Sequence, residues 1–343
     1  MGVPVSNLDL QGNLIAQVLP RRPPQAASLK LAQIATCANP EVRLRGARAI
    51  IGSKVAAQRH LAEGWERDFG VSADPVRRAI FAMRAESSSS LRVSEARVAL
   101  SYFGAMREVL SRWGVAWEGR TNARDSNNLN AAEPVNAALN YAYSLTEALA
   151  RVAVHGAGLL SEFGLLHEPG PSKEPLVYDV EEPLRWLAES AVLGALSERV
   201  RAKGKGRWRA GLGGFDVKER YRLSPAFARS LVDKFNEALL LRVRFGGRRR
   251  VRAGLLPGLL VAELSRWMGE RGGEPRLSFS IEGPNRDGVL SREEVERILA
   301  MSPFERREAG IRANTFHYLK RRADLGVAPV RLYRKVRSRL PSA

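Results

Sequence analysis

Residues 27–58 read ASLKLAQIATCANPEVRLRGARAIIGSKVAAQ. Apolar side chains recur at helical intervals, first Leu29, Leu31, Ile34 and Ala35, then Ala47, Ile51 and Val55, with Gln58 on the same stripe. Gly and Pro are scarce inside this stretch, so nothing interrupts the period. Downstream, the same spacing predicts helices over roughly 75–85, 92–113, 134–155, 183–202, 224–243 and 257–270. Upstream the pattern changes: Val3 to Val5 and Asn13 to Val18 read as extended segments closed by Pro20, Pro23 and Pro24. A lone hairpin is not stable by itself. Residues 1–25 are therefore expected to be the β remnant of a larger sheet domain, or an arm that pairs elsewhere. The expected fold is mainly α, with a helical body over 26–245 and a separate C-terminal unit over 255–343.

The chain has 343 residues, with 55 Lys+Arg against 36 Asp+Glu, a net charge of +19. That length buries a sizeable core, and the charge attracts polyanions at long range. Arg far outnumbers Lys, which suits phosphate; genome composition or a hot habitat would give the same bias but not the net charge. The single cysteine, Cys37, excludes a disulfide framework and a cysteine zinc site. Arg151, His155 and Glu162 interrupt the longest apolar run, so no membrane association is expected. A soluble, cytoplasmic protein is the expectation.

Charge is concentrated at one end. Residues 301–343 hold 11 Lys+Arg and 3 Asp+Glu, or +8 of the +19. Within them, Pro303 to Arg322 reads as a helix ending at Gly310, a turn anchored by Ile311, and a second helix capped by Asn314 or Thr315 with Phe316 and Leu319 facing inward. This is a helix-turn-helix layout, whose second helix would enter a DNA major groove. Arg312, Asn314, His317, Lys320 and Arg321 would then face the nucleic acid; an ordinary helical hairpin with a solvated basic face is the alternative. Residues 246–252, Gly-Gly-Arg-Arg-Arg-Val-Arg, read as a basic connector. Asn285, Asp287, Gly288 and Glu294 sit at calcium-loop spacing, but Gly283 stands where the first acidic ligand belongs, so a turn is the better reading.

The centre holds the groups with chemistry. His167 ends an apolar run, and twelve residues later come Asp179 through Arg185. A helix starting near Asp179 would put Asp179 and Glu182 on one face. An imidazole with carboxylates from different segments suits a hard cation such as Mg2+ or Mn2+, which activates water and polarises a phosphodiester. Spacing alone equally allows a surface charge network.

Four stretches are informative as a set: Glu95 to Phe103, Glu133 to Tyr143, Gly164 to Pro169, and Tyr178 to Arg185. In this order they resemble successive motifs of the CRISPR-associated Cas1 family, the integrase-endonucleases of spacer acquisition. The resemblance extends weakly upstream through Lys54 and Gln58 and covers roughly Gly2 to Leu241. It implies a metal held by Glu95, His167 and Glu182, with Asp179 as an acidic neighbour, and a catalytic set of Glu95, His167, Asp179 and Glu182. It implies double-stranded DNA as substrate, a homodimer, and a Cas2 partner if the gene is CRISPR-encoded. Gly2-Val3-Pro4-Val5 is similar to the last strand of the family's N-terminal β domain, so most of that domain is expected to be missing and the usual dimer is in doubt. The elaborate basic tail is similar to that of casposases, transposon integrases with the same active site. A non-catalytic DNA-binding protein is the third reading. Asn136, Asn140 and Tyr143 read as polar anchors inside a helix. Arg120, Arg124, Arg185, Lys203 and Lys205 are candidate phosphate contacts, weighed against plain solvated charge.

Overall fold

The computed structural model describes residues 5–9, 14–18, 27–120, 131, 133–215, 221–247, 249–270, 272–282, 292–309, 311, 313, 316–317 and 319–320. Strands β1 (Val5–Leu8) and β2 (Leu14–Val18) pair antiparallel as the expected hairpin. The body follows as α1 (Ala27–Ala38), α2 (Pro40–Phe69), α3 (Asp74–Phe81), α4 (Ser88–Arg112), α5 (Pro134–Gly156), α6 (Pro175–Glu181) and α7 (Arg185–Lys203). After a small β3 (Gly213–Phe215) and β4 (Tyr221–Leu223) hairpin come α8 (Pro225–Leu239), β5 (Arg242–Phe245), β6 (Arg249–Arg252), α9 (Leu256–Glu270) and β7 (Phe279–Ile281). Two short helices follow, α10 (Arg292–Ala300) and α11 (Pro303–Glu308). The protein is mainly α, as the periodicity requires.

Local chemistry sets the long helices. Asn39 caps α2 by accepting from Glu41 and Val42 N–H, Pro40 opens the helix, and Gly70 ends it in the left-handed conformation at φ 67°. At 30 residues α2 runs about 45 Å. Ser87 and Ser90 form a reciprocal capping box at the start of α4. Between α2 and α4 a small apolar seam of Ala47, Ile51 and Val55 meets Leu91 and Val98. Full burial of a side chain such as Leu91 is worth roughly 1.5–3 kcal/mol. This seam fixes the register that brings Lys54 opposite Glu95.

Two larger cores lie on either side. One joins α4, α5, α7 and α8 around Tyr102, Met106, Leu139, Leu196 and Leu231. The other joins Ile50 of α2, Val154 of α5 and Leu187 of α7 to Leu260, Leu264 and Trp267 of α9. Helix α9, expected to belong to the C-terminal unit, thus packs with the helical body because its apolar stripe completes that core. The packing boundary falls after β7 rather than near residue 255. The stretch read as a basic connector instead supplies β6, and β6–β5–β7 form one antiparallel sheet. In the C-terminal segment Val295, Ile298, Ile311 and Leu319 share a separate small cluster.

Candidate active site

Lys54 of α2, Glu95 of α4, His167 of the α5–α6 loop, and Glu182 and Arg185 after α6 line one open cavity of about 460 Å³, with Arg92 and Glu168 at its rim. Lys54 Nζ lies 2.7 Å from Glu182 Oε2 and donates to Glu95 Oε1. Arg185 Nη2 lies 3.1 Å from Glu182 Oε1, and His167 Nε2 lies 3.9 Å from the same oxygen. Lys54 thus reaches Glu95 across 41 residues of sequence and Glu182 across 128.

Asp179 organises this set from behind. The helix that carries it begins at Pro175, four residues earlier than expected, and a 3-10 turn over Glu182–Leu184 replaces its continuation. Both carboxylates still meet the same imidazole, Asp179 at Nδ1 and Glu182 3.9 Å from Nε2. Asp179 is fully buried and accepts the backbone N–H groups of Leu165, Leu166 and His167 and the His167 ring at Nδ1, 2.8 Å away. A carboxylate at Nδ1 places the ring proton there and turns the Nε2 lone pair to the cavity. Asp179 thereby acts through His167 rather than at the cavity itself. Gly164 makes the turn possible: a Cβ there would meet Pro175 Cβ at 2.6 Å, the Pro175 carbonyl carbon at 2.9 Å and Asp179 Oδ2 at 2.9 Å. Arg43 braces the same loop from α2, donating to the Leu165 and His167 carbonyls and to Glu168.

Electrostatics follow from burial and pairing. Burial would push the Glu182 carboxyl up, but Arg185 and Lys54 outweigh it and hold it down at about 2. Burial would push His167 down, yet the Asp179 hydrogen bond raises it. For Glu181, burial wins over Arg185 and pushes the carboxyl up to about 7. Behind the cavity, Tyr102 and Tyr143 hydroxyls donate to buried Glu189 at 2.6 and 3.0 Å.

Because Glu182 sits at about 2 against an ordinary 4.5, the fold favours its ionised form. That stabilisation is present above pH 4.5 and is lost as pH falls toward 2. Glu182→Gln should therefore flatten the acid limb of stability in that window, read as urea midpoints against pH; an unchanged limb would show that the pairing contributes nothing.

The donor chemistry of Glu95, His167 and Glu182 fits a hard divalent cation. Glu182 Oε2 is buried and makes no aligned hydrogen bond despite its ion pair with Lys54. Among the described residues no three acidic or imidazole groups close into a ready ion cage. The Lys54 ammonium lies against both carboxylates.

The other expected contacts are spread out. Arg120 and Arg185 both lie against the Tyr143 ring, at 5.4 and 5.1 Å, and Arg120 donates to Asn140 Oδ1. Asn136 is an anchor, accepting from Trp117 and donating to the Gly119 carbonyl. Lys205 packs on Gly114 beyond the end of α4, about 28 Å along that helix from Glu95. Lys203, also exposed, ends α7, roughly 27 Å along it from Arg185. His317 and Lys320 are exposed while Leu319 is buried, an arrangement common to the helix-turn-helix and the solvated-hairpin readings. Arg124, Arg312, Asn314 and Arg321 lie outside the described residues, as do Gly283, Asn285, Asp287 and Gly288. Sequence reasoning did not assign Lys54, Arg92 or Glu189 to the site. Arg92 stands one helical turn before Glu95, which was the available signal.

Comparison with known proteins places this geometry. The sequence profile of the family described as CRISPR associated protein Cas1 matches residues 1–236. A CRISPR-associated endonuclease Cas1 of Methanopyrus kandleri is 34% identical over 188 residues, covering 52% of this chain and 54% of that protein. One from Thermus thermophilus is 30% identical over 182 residues, covering 52% and 55%. The chain spans about half the length of the curated relatives it matches. Among solved structures, a casposase bound to integration product aligns with a TM-score of 0.67 at 23% identity, covering 80% of this chain and 74% of that one. A CAS1 protein from Thermotoga maritima aligns at 0.62 and 18%, covering 82% and 81%. With the profile running through every segment that supplies the cavity's acidic, imidazole and ammonium groups, the chain belongs to the CRISPR-associated Cas1 family.

Proposed function

We propose that this chain is a metal-dependent DNA endonuclease and integrase that cuts and joins strands by transesterification, inserting spacer DNA into a CRISPR array in antiviral defence. The observation that carries this reading is the convergence of Glu95, His167 and Glu182 at one cavity that Arg92 and Arg185 also line. Those three residues would hold Mg2+ or Mn2+, which when bound supplies Lewis acidity at a phosphodiester oxygen and neutralises charge on the leaving oxygen. The chain's own groups do the rest. Asp179 keeps the His167 proton on Nδ1. Lys54 and Arg185 keep Glu182 ionised. Arg185 and Arg92 present donors to the non-bridging oxygens of the phosphate. A DNA 3′ hydroxyl attacks the target phosphorus and gives up its proton; as that P–O bond forms, the bond to the target's 3′ oxygen breaks, and the leaving oxygen takes a proton. The number of phosphodiesters is unchanged, so the joining step needs no energy source.

Double-stranded DNA is the proposed substrate, with Arg120, Arg124, Lys203, Lys205 and the C-terminal unit (Arg312, Asn314, His317, Lys320, Arg321) along its path. A homodimer and a Cas2 partner are part of the same proposal. Glu95→Ala or His167→Ala should slow strand transfer of a pre-processed duplex in Mn2+ by about a thousand-fold, given the several kcal/mol a Lewis acid contributes. Variants as active as wild type would leave a DNA-binding protein without catalysis. The casposase fold match supports a second reading, a transposon integrase. CRISPR repeats and a Cas2 gene beside the coding sequence favour the first, terminal inverted repeats and a polymerase gene the second.

A further inference from the structure

The β6–β5–β7 sheet lies beyond the stretch matched by the family profile, and one of its faces carries an unusual arrangement. Val243, Val251, Phe279 and Ile281 turn inward to the core, as period-two alternation demands. The alternate positions of β5 and β6 are Arg242, Arg244, Arg250 and Arg252, all exposed. Register places Arg242 opposite Arg252 and Arg244 opposite Arg250. Two like-charged cross-strand pairs side by side destabilise a sheet. Arg249, also exposed, pairs with Phe245 and shares the parity of Val251, so it is not part of this face. Glu282 compensates part of this charge, accepting from Arg244 at 3.1 Å and Arg250 at 2.7 Å. Four arginines to one glutamate leave a concentrated positive face.

Its dimensions restrict the partner. Arginines two apart on a strand stand about 6.7 Å apart, and neighbouring strands are about 4.8 Å apart. A rigid grid of guanidinium forks at that spacing suits a row of phosphates, each able to take a bidentate contact. The sheet is also fixed relative to the cavity. Ser53, next to Lys54, donates to the Leu277 carbonyl at 2.8 Å, and the Trp186 ring, next to Arg185, lies 6.4 Å from that of Phe279.

We infer that the arginine face of the β6–β5–β7 sheet is a DNA docking surface that grips the phosphate backbone of duplex outside the active cavity. This rests on the reading that the chain acts on DNA, and is tested apart from it because binding is measured without divalent metal. In a fluorescence-anisotropy titration, Arg242→Gln/Arg252→Gln should weaken binding to a 40-base-pair duplex about ten-fold at moderate salt. The slope of log affinity against log salt should fall by about 0.9 for each phosphate that the variant no longer neutralises. Adding Arg244→Gln and Arg250→Gln should deepen both effects. An Arg78→Gln/Arg229→Gln control removes the same charge from positions elsewhere on the surface and should change neither by more than a small factor.

Thermal melts of Arg242→Gln/Arg252→Gln should not fall, since a like-charge pair is being removed. Catalysis is read separately as Mn2+-dependent nicking of a short duplex at saturating concentration, which should persist in the sheet variants. If the sheet variants bind duplex as wild type does, or weaken no more than the control, the docking surface is overturned. Weakened binding to single-stranded RNA or to anionic phosphatidylserine vesicles with duplex binding intact would overturn it equally. Wild-type binding together with absent nicking would instead count against the proposed catalysis.

Discussion

Asp179→Ala is expected to cost about 3–5 kcal/mol of folding stability and to lower strand transfer about a hundred-fold. The carboxylate is fully buried and serves three consecutive backbone N–H groups and one imidazole. Each buried donor left without an acceptor costs about 1–3 kcal/mol. Against a total stability of about 5–15 kcal/mol, that is a large share. The activity loss has a different origin, since His167 would no longer be held in one tautomer and orientation. Outer partners of a ligating histidine are typically worth about 10–100-fold. Asp179→Asn keeps one acceptor oxygen and should recover much of the stability but less of the activity. Urea titration and single-turnover kinetics separate the two effects. An alanine variant as stable as wild type would show that the loop is held by something else.

Lys54→Met should produce a protein whose stability depends on divalent metal. Lys54 is almost wholly buried, with its ammonium against Glu95 and Glu182. Removing one partner of a buried ion pair costs about 3–5 kcal/mol, because the remaining charge is left in a poor dielectric. In EDTA the melting temperature should therefore fall by on the order of 5–10 °C. Mn2+ should return most of that loss in the variant while moving the wild type much less, since wild-type Lys54 already supplies the positive charge. Lys54→Arg, which keeps the charge, should show little metal-dependent recovery. If Mn2+ raises Lys54→Met no more than wild type, the cation does not go between these carboxylates.

Most of the helices are legible in the sequence because their signals are local. The α2 stripe of Ala47, Ile51 and Val55, the Asn39-Pro40 start and the Gly70 stop all lie within the segment they shape. Glu95, His167, Asp179 and Glu182 are legible as a set only through family resemblance, for no local pattern ties together residues so far apart in the chain. Division of labour among them is not legible. Asp179 and Glu182 are three residues apart and chemically similar, yet Asp179 accepts from the 165–167 backbone and the Nδ1 side of His167 while Glu182 meets Lys54 and Arg185. The stretch over 246–252 reads as a connector, and not as a strand, for a related reason. An Arg-rich run carries weak strand propensity, and β7, which completes the sheet on the other side of β5, comes some thirty residues later.

By itself the sequence determined the helical class, the positive charge, the hairpin before the helices and the residue types able to hold a divalent ion. Those follow from short-range periodicity, caps and composition, which need no knowledge of neighbours in space. Only the tertiary structure decided which acid faces the cavity, that Lys54 lies between the carboxylates, that α9 completes the core of the helical body, and that four arginines share one sheet face. Each depends on packing between distant segments, where burial and register, rather than local preference, set the lowest free energy.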